Sequence, residues 1–312
     1  MTRHISTATT GVDARLLTLC AMLETRRPMG TGTERAFIRR YIEPLPGAVQ
    51  DRANNWHVIV PDRRTGTARV LWSCHTDTVH RTEGRQGLYI GPEEITLGRN
   101  RRKLSNCLGA DDTVGVWICR EMVLAGVPGH YVFHYGEERG GIGSGNIVAQ
   151  SPELFRDIEC AIALDRRGTT DVITYQACGR CCSDAFAESL AAQLQDVARY
   201  APCDSGIYTD TAEYTGIVGE CTNLSVGYRY EHSPSESLNY RHALRLLEAL
   251  CVLDTDALVC ERVPGDDDDD YYTRWDFQRT IRDTKEDDRR YREWLSTLSL
   301  DDYKFLKYLE DK

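Results

Sequence analysis

Apolar positions along the chain follow two rhythms that take turns. In "DARLLTLCAMLETRRP" and "TERAFIRRYIEPLPG" they recur at three- and four-residue spacing, which predicts two amphipathic helices. Pro28 stops the first, Thr33 is placed to cap the second, and the stretch from Pro44 to Gly47 ends it. "NWHVIVP" and "ARVLWSCH" are rich in β-forming residues and flank the turn "DRRTGT", so they predict paired strands. "DDTVGVWICREMVLAGV" returns to helical spacing, with acids in its first turn and Gly126 and Pro128 at its end. Then follow a strand "HYVFHYGEE", a glycine-rich turn, a helix "SGNIVAQSPELF" and a strand "CAIALD". The strand "VITYQA", the helix "SDAFAESLAAQLQDVARY", the strand "TNLSVGYRY" and the helix "YRHALRLLEALCVL" complete the series.

Strands that alternate with helices predict an α/β fold: a mixed, mostly parallel sheet sandwiched by helices. Sites in such sheets lie at the carboxyl ends of the strands, and His75, Glu137, Glu138 and Asp165 are all predicted there. The pattern changes after residue 260. "PGDDDDDYYTRWDFQ" reads as a solvated linker, and the charged stretch beyond it predicts a helical appendage. We therefore expect one main domain over residues 1–260 and an acidic linker with a charged C-terminal tail over 261–312.

Composition narrows the function. The 312-residue chain carries a net charge of -10, which argues against nucleic acid as a partner. "MTRHISTATTGVDARLL" lacks the apolar core of an export signal, and no run of 18 apolar residues occurs, so a cytoplasmic protein without a membrane span is expected. Most of the 12 cysteines stand in apolar stretches such as "LTLCAML" and are expected to be reduced and buried. In "CGRCC" Cys178 and Cys181 have metal-binding spacing beside Cys182, but no second pair completes a four-cysteine zinc site, and a structural role is expected.

"WSCHTDTVH" alone does not decide between a metal ligand and the polar end of a strand. In chain order, however, "CHTDT", "LGADDT", "YGEERGG", "ALDRRG" and "RYEHSPSES" supply two histidines, a central aspartate, a Glu-Glu pair and a further aspartate. This mixed nitrogen and oxygen set suits a pair of divalent ions. A carboxylate shared by two ions lowers their repulsion, and such a centre can acidify a bridging water while polarising a carbonyl.

These five motifs, in this order, resemble the co-catalytic di-zinc exopeptidases, which include aminopeptidases, carboxypeptidases and deacylases. "YTDTAEYTGIVGECTNLSVGYRYEHSPSESL" is most similar to the glutamyl and tetrahedral aminopeptidase branch, and the resemblance spans roughly residues 12–258. It implies that His75 and Asp165 bind one zinc, that Glu138 and His232 bind the other, and that Asp111 bridges them and is followed by a cis peptide. Glu137 would be the general base, taking a proton from the attacking water and passing it to the leaving amine. Asp77 would accept a hydrogen bond from His75 and fix its tautomer. Mn2+ or Co2+ would fit the same donors as Zn2+.

Asp112 reads equally as a helix cap or as a support for the site, and His80 has no counterpart and is expected to be incidental. Glycines 140, 141, 143 and 145 fit a tight turn that positions Glu137 and Glu138; a phosphate loop would need a lysine that is missing. Many relatives carry an inserted lid or dimerisation domain, whereas the intervals 76–110 and 166–231 leave no room for one. In such relatives the lid or a neighbouring subunit supplies substrate contacts that include an oxyanion donor, so Tyr208, Tyr228 and Tyr230 become candidates for that role here. Arg166 and Arg167, and the "RNRRK" run from Arg99 to Lys103, could attract a substrate carboxylate, although arginine-rich surface turns are common. The expected activity is an aminopeptidase acting on small peptides. A carboxypeptidase or N-acyl amino acid deacylase would use the same site, and an inactive binding protein on this fold is the alternative of another class. The tail is the expected route to a homo-oligomer.

Overall fold

The computed structural model describes residues 13–98, 105–176 and 179–265. Cys178, the Arg99–Lys103 run and the tail beyond residue 265 lie outside them. An eight-stranded sheet forms the centre, in the order Ala201–Cys203, Asp171–Ile173, Glu220–Ser225, Cys160–Arg166, Val70–His75, Gly129–His134, Trp56–Val60, Val49–Gln50. Its four middle strands run parallel, and antiparallel neighbours flank them. The expected mixed, mostly parallel sheet is therefore the observed one.

Val70–His75, Gly129–His134 and Glu220–Ser225 are buried at every position. Both faces of the sheet are covered, which is why Val70–His75 and Gly129–His134 appear in the sequence as largely apolar runs without alternation. Successive residues point to opposite layers. Trp72, Tyr131 and Phe133 pack with Val114 and Ile118 of the Ala110–Ala125 helix. Leu71 and Val132 pack on the other face with Ile147, Phe155 and Tyr214. Trp117, fully buried in the same helix, stabilises the fold by about 1.5–3 kcal/mol or more.

Several boundaries differ from the expected ones, each for a local reason. The second helix, Gly32–Tyr41, is capped by Thr31, whose hydroxyl accepts from Glu34 N. Thr33 instead donates to Arg26 O at 2.7 Å. Ile142–Gln150 ends at Ser151, because the following Pro152 restricts that residue to non-helical backbone. "TNLSVGYRY" is not one strand. It bends at Gly227 (φ 109°), and Tyr228–Arg229 pairs with Ser237–Asn239 in a second sheet. That sheet also takes Glu94–Leu97 and Leu88–Ile90, strands that the sequence pattern did not announce.

Among the described residues, the intervals 76–110 and 166–231 hold short strands, the helix Asp184–Gln193 and the 3-10 turn Asp210–Tyr214, with no inserted domain. The chain stays knitted to the domain as far as Arg262, since buried Glu220 accepts from Glu261 N and Arg262 N, both at 2.9 Å. Cys181 and Cys182 are buried, and both thiols point at Ile173 O. Among the described residues no cysteine joins a metal-binding group, and no helix is long and apolar enough to cross a membrane.

Candidate metal centre

The parallel strands bring distant residues to one edge. His75 closes Val70–His75 and Asp165 lies near the end of Cys160–Arg166. The Gly129–His134 strand leads through Gly136 (φ 72°) into a 3-10 turn, Glu137–Arg139, that carries the glutamate pair. Adjacent side chains on a strand would diverge, and this turn is what lets both glutamates face the site. Asp111 opens the Ala110–Ala125 helix with non-helical backbone, and the Asp111–Asp112 peptide is cis.

Three groups of side chains offer ligand atoms within 4.8 Å of one another: His75, Asp111 and Asp165; His75, Glu137 and Glu138; and Asp111, Glu138 and His232. Asp111 sits between the histidines. Its Oδ1 is 3.1 Å from His75 Nε2 and its Oδ2 is 3.0 Å from His232 Nε2. Asp165 Oδ1 lies 3.5 Å from His75 Nε2, and Glu138 Oε1 lies 3.1 Å from His232 Nε2. Glu137 Oε2 is 3.9 Å from His75 Nε2, farther than the other carboxylates. Asp77 is fully buried and faces the other ring nitrogen, with its Oδ1 3.4 Å and its carbonyl oxygen 3.2 Å from His75 Nδ1. The same Oδ1 accepts from Glu137 N at 3.2 Å.

The cluster holds more negative charge than its histidines can balance. Burial works against a charged ring at His75, yet Asp165, Asp111 and Asp77 outweigh it and hold its pKa well above the ordinary value. At His232, Glu138 and Asp111 overcome burial in the same way. Burial also disfavours the Asp111 charge, but the two histidines hold that carboxyl well below its usual range. Burial and Asp111 raise Asp165 and push Glu138 up to about 7. Burial, with Asp165, Glu138 and Asp210 adding to it, raises Glu137 well above its usual range. A buried crowd of carboxylates of this kind must be protonated or matched by cations. Its donors are the nitrogens and oxygens that divalent ions of the zinc, manganese and cobalt kind accept, so the residues fit two such ions.

Four contributors carried too little signal in the sequence. Glu236, within the quoted "EHSPSES", is 1% exposed and accepts the backbone N–H groups of Leu108, Gly109, Ala110 and Asp111. Burial and Asp111 push it up to about 8 against the pull of those amides. Asp210, in "YTDTAEY", is equally buried; its Oδ2 lies 3.3 Å from His134 Nδ1, and burial, with Asp165 and Asp77, pushes it up to about 8. Arg27 is a fully buried guanidinium that donates to Thr76 O and Thr113 Oγ1 and lies over Phe37. Buried Glu34 accepts from Thr76 Oγ1 at 2.9 Å. Arginine and glutamate at helix ends read as surface residues, and only the folded chain buries these two beneath the site.

Asp112 does both things the sequence allowed. Its Oδ1 caps the helix through Gly115 N at 2.8 Å, and its Oδ2 holds His75 N at 3.1 Å. His80 is a satisfied core residue that meets Thr78, Gln86 and Cys107. Among the tyrosines, Tyr228 is buried and donates to Asp165 O at 2.8 Å, which commits it to orienting that aspartate. Tyr208 donates to Glu213 Oε1 at 3.0 Å and stands over Gly141, where a Cβ would overlap its hydroxyl. Tyr230 is 67% exposed. Arg166 is tied to Asp171 and Ser205, and Arg167 to Glu231.

No protein-family model matches the sequence, and no curated protein does. Solved structures do match. Aminopeptidase PepT from Bacillus cereus aligns at 12% identity over 76% of this chain and 96% of its own, with a TM-score of 0.62. A tripeptidase from Staphylococcus aureus aligns at 13% identity over 76% and 96%, with a TM-score of 0.63. The TET1 peptidase of Pyrococcus horikoshii, described as able to assemble into a tetrahedron or a large octahedral shell, aligns at 15% over 76% and 97%, with a TM-score of 0.51. At these identities the likeness concerns architecture: the chain has the α/β fold that these peptidases share, as its motif order led us to expect.

Proposed function

We propose that the protein is a metal-dependent exopeptidase, an aminopeptidase that hydrolyses the terminal amide bond of small peptides. The observation that carries this is the Asp111 carboxylate, which turns one oxygen to His75 and the other to His232. That is the arrangement a carboxylate shared by two cations requires. His75 and Asp165 would hold one divalent ion with Asp111, and Glu138 and His232 would hold the second. Bound there, the ions would supply an acidified water and a polarised carbonyl.

The chain's own groups do the rest. Glu137 takes the proton of the attacking water and delivers it to the leaving nitrogen. Burial and the neighbouring carboxylates raise its proton affinity, as a group that must accept a proton requires. Asp77 fixes Glu137 through its backbone N–H and keeps the proton of His75 on Nδ1, leaving Nε2 free to bind. Tyr228, Thr209 and Asn223 hold Asp165 from three sides. Substrate carboxylate capture by Arg166 or Arg167, and oxyanion donation by Tyr208 or Tyr230, remain proposals for mutagenesis. Assembly through residues 266–312 would appear as a change in oligomer size on their removal.

Metal content per chain, measured with turnover of free and N-acylated dipeptides, tests the proposal. Two ions per chain and cleavage of free-amine substrates, both lost in Asp111→Ala, are expected. Preference for N-acylated substrates would move the activity to deacylase. No bound ion and no turnover after zinc, manganese or cobalt is added would leave a binding protein on a peptidase fold.

A further inference from the structure

Two irregular segments meet at Glu236. Its carboxylate accepts from Leu108 N at 2.8 Å and Gly109 N at 2.9 Å on Oε2, and from Ala110 N at 2.7 Å and Asp111 N at 3.2 Å on Oε1. The run of four donors ends on the residue between the two histidines. Along the chain, Glu236 N donates to Ser233 O at 3.1 Å, which closes a turn that begins beside His232. Neither ligand sits in regular backbone. Tyr230 and His232 have positive φ (57° and 59°), Gly109 is at 71°, and Asp111 and Asp112 are non-helical. The Glu236 carboxylate is the crosslink between them.

The ligands of the other cluster have supports of their own. His75 ends a buried strand, and its backbone N–H is held by Asp112. Asp165 is held by Asn223, Thr209 and Tyr228. We propose that Glu236 is a positioning residue that sets the spacing of Asp111 to His232. It thereby governs affinity for the ion held by Asp111, Glu138 and His232 far more than for the ion held by His75, Asp111 and Asp165. This rests on the metal-dependent reading of the site given above.

The fold supplies a matched control. Glu220 is also fully buried and also takes four donors, from Ser183 N, Ser183 Oγ, Glu261 N and Arg262 N, away from the site. E236Q and E220Q each turn an amide NH2 toward donors that need an acceptor, so both should lower thermal stability. Stepwise Zn2+ affinity of the full chain, measured by competition with a chromophoric chelator, separates them, and the visible spectrum of successive Co2+ equivalents adds a second readout. E220Q should bind both ions as wild type does. E236Q should lose about 10–100-fold in the one step that His232→Ala abolishes and keep the other, with an altered spectrum for the Co2+ bound in that step. Unchanged steps and spectrum in a destabilised E236Q would make Glu236 purely structural and overturn the proposal, as would equal loss in both steps. Should E236Q not fold, E236D, which keeps the charge one methylene farther back, decides in the same way. Wild type that binds no ion overturns the metal reading itself, and this proposal with it. That outcome differs from two ions bound equally by wild type and E236Q.

Discussion

Stripping the metal centre should leave a protein that loses stability as pH rises. Glu138 is pushed from 4.5 to about 7 by burial and Asp111. Asp210 is pushed from 3.8 to about 8 by burial, Asp165 and Asp77. Both bind a proton more tightly in the folded chain than in the unfolded one. Between their unfolded and folded pKa values the folded state therefore holds more protons, and stability falls with rising pH until both have ionised. His75 and His232, also raised, act in the same direction: their contribution is complete below the unfolded value of 6.5 and is lost as pH climbs through the folded value. Asp111, held low, works the other way in the acid range, and His80, His130, His134 and His242, all pushed low by burial, oppose the trend up to their unfolded value of 6.5 and no further. The Glu138 shift corresponds to about 3 kcal/mol at roughly 1.4 kcal/mol per unit, or about 6–12 °C in Tm for a domain of this size. The assay is a series of circular-dichroism melts of chelator-treated protein between pH 5 and 8.5, repeated with two equivalents of Zn2+. Tm should fall from pH 6.5 to 8 without metal and recover with it, because the cations take over the role of the protons. Asp210→Asn should make the metal-free slope shallower. A metal-free Tm that is flat or rising from pH 6.5 to 8, where His80, His130, His134 and His242 no longer contribute, would refute the reasoning.

Other changes separate the roles at the site. Glu137→Gln should keep both ions and leave KM nearly unchanged while kcat falls by about 10²–10⁴-fold, seen in steady-state kinetics with parallel metal analysis. His232→Ala should bind one ion per chain in place of two, read by elemental analysis. Tyr228→Phe removes the hydroxyl that holds Asp165 O and should weaken binding of the ion at His75 and Asp165 by about tenfold, read by chelator competition. Gly141→Ala puts a Cβ into the Tyr208 hydroxyl at a position with φ 63°; we expect a lower Tm and a displaced Tyr208–Glu213 pair, visible in the melt and in a crystal structure of the variant.

The sequence by itself determined the layers, the alternation of the main strands and helices, and the ordered set of histidines and carboxylates. Each rests on local information: periodicity, punctuation by proline and glycine, and short motifs at strand ends. Tertiary structure decided what depends on contacts between distant segments. The break of "TNLSVGYRY" at Gly227 follows from Tyr228–Arg229 pairing with Ser237–Asn239, a partner no local pattern names. The transfer of the helix cap from Thr33 to Thr31 follows from Arg26 claiming the Thr33 hydroxyl. Arg27, Glu34 and Asp210 carry no local mark of burial and became buried neighbours of the site only when Thr76, Thr113 and His134 closed over them. Glu236 was visible inside a quoted motif, yet its role lies in four amides more than 120 residues earlier. Residue type and spacing can announce a metal ligand, because the donor atom is in the side chain itself. They cannot announce the group that holds the ligand in place, because any buried acceptor can take a backbone N–H, and which one does so is settled by packing.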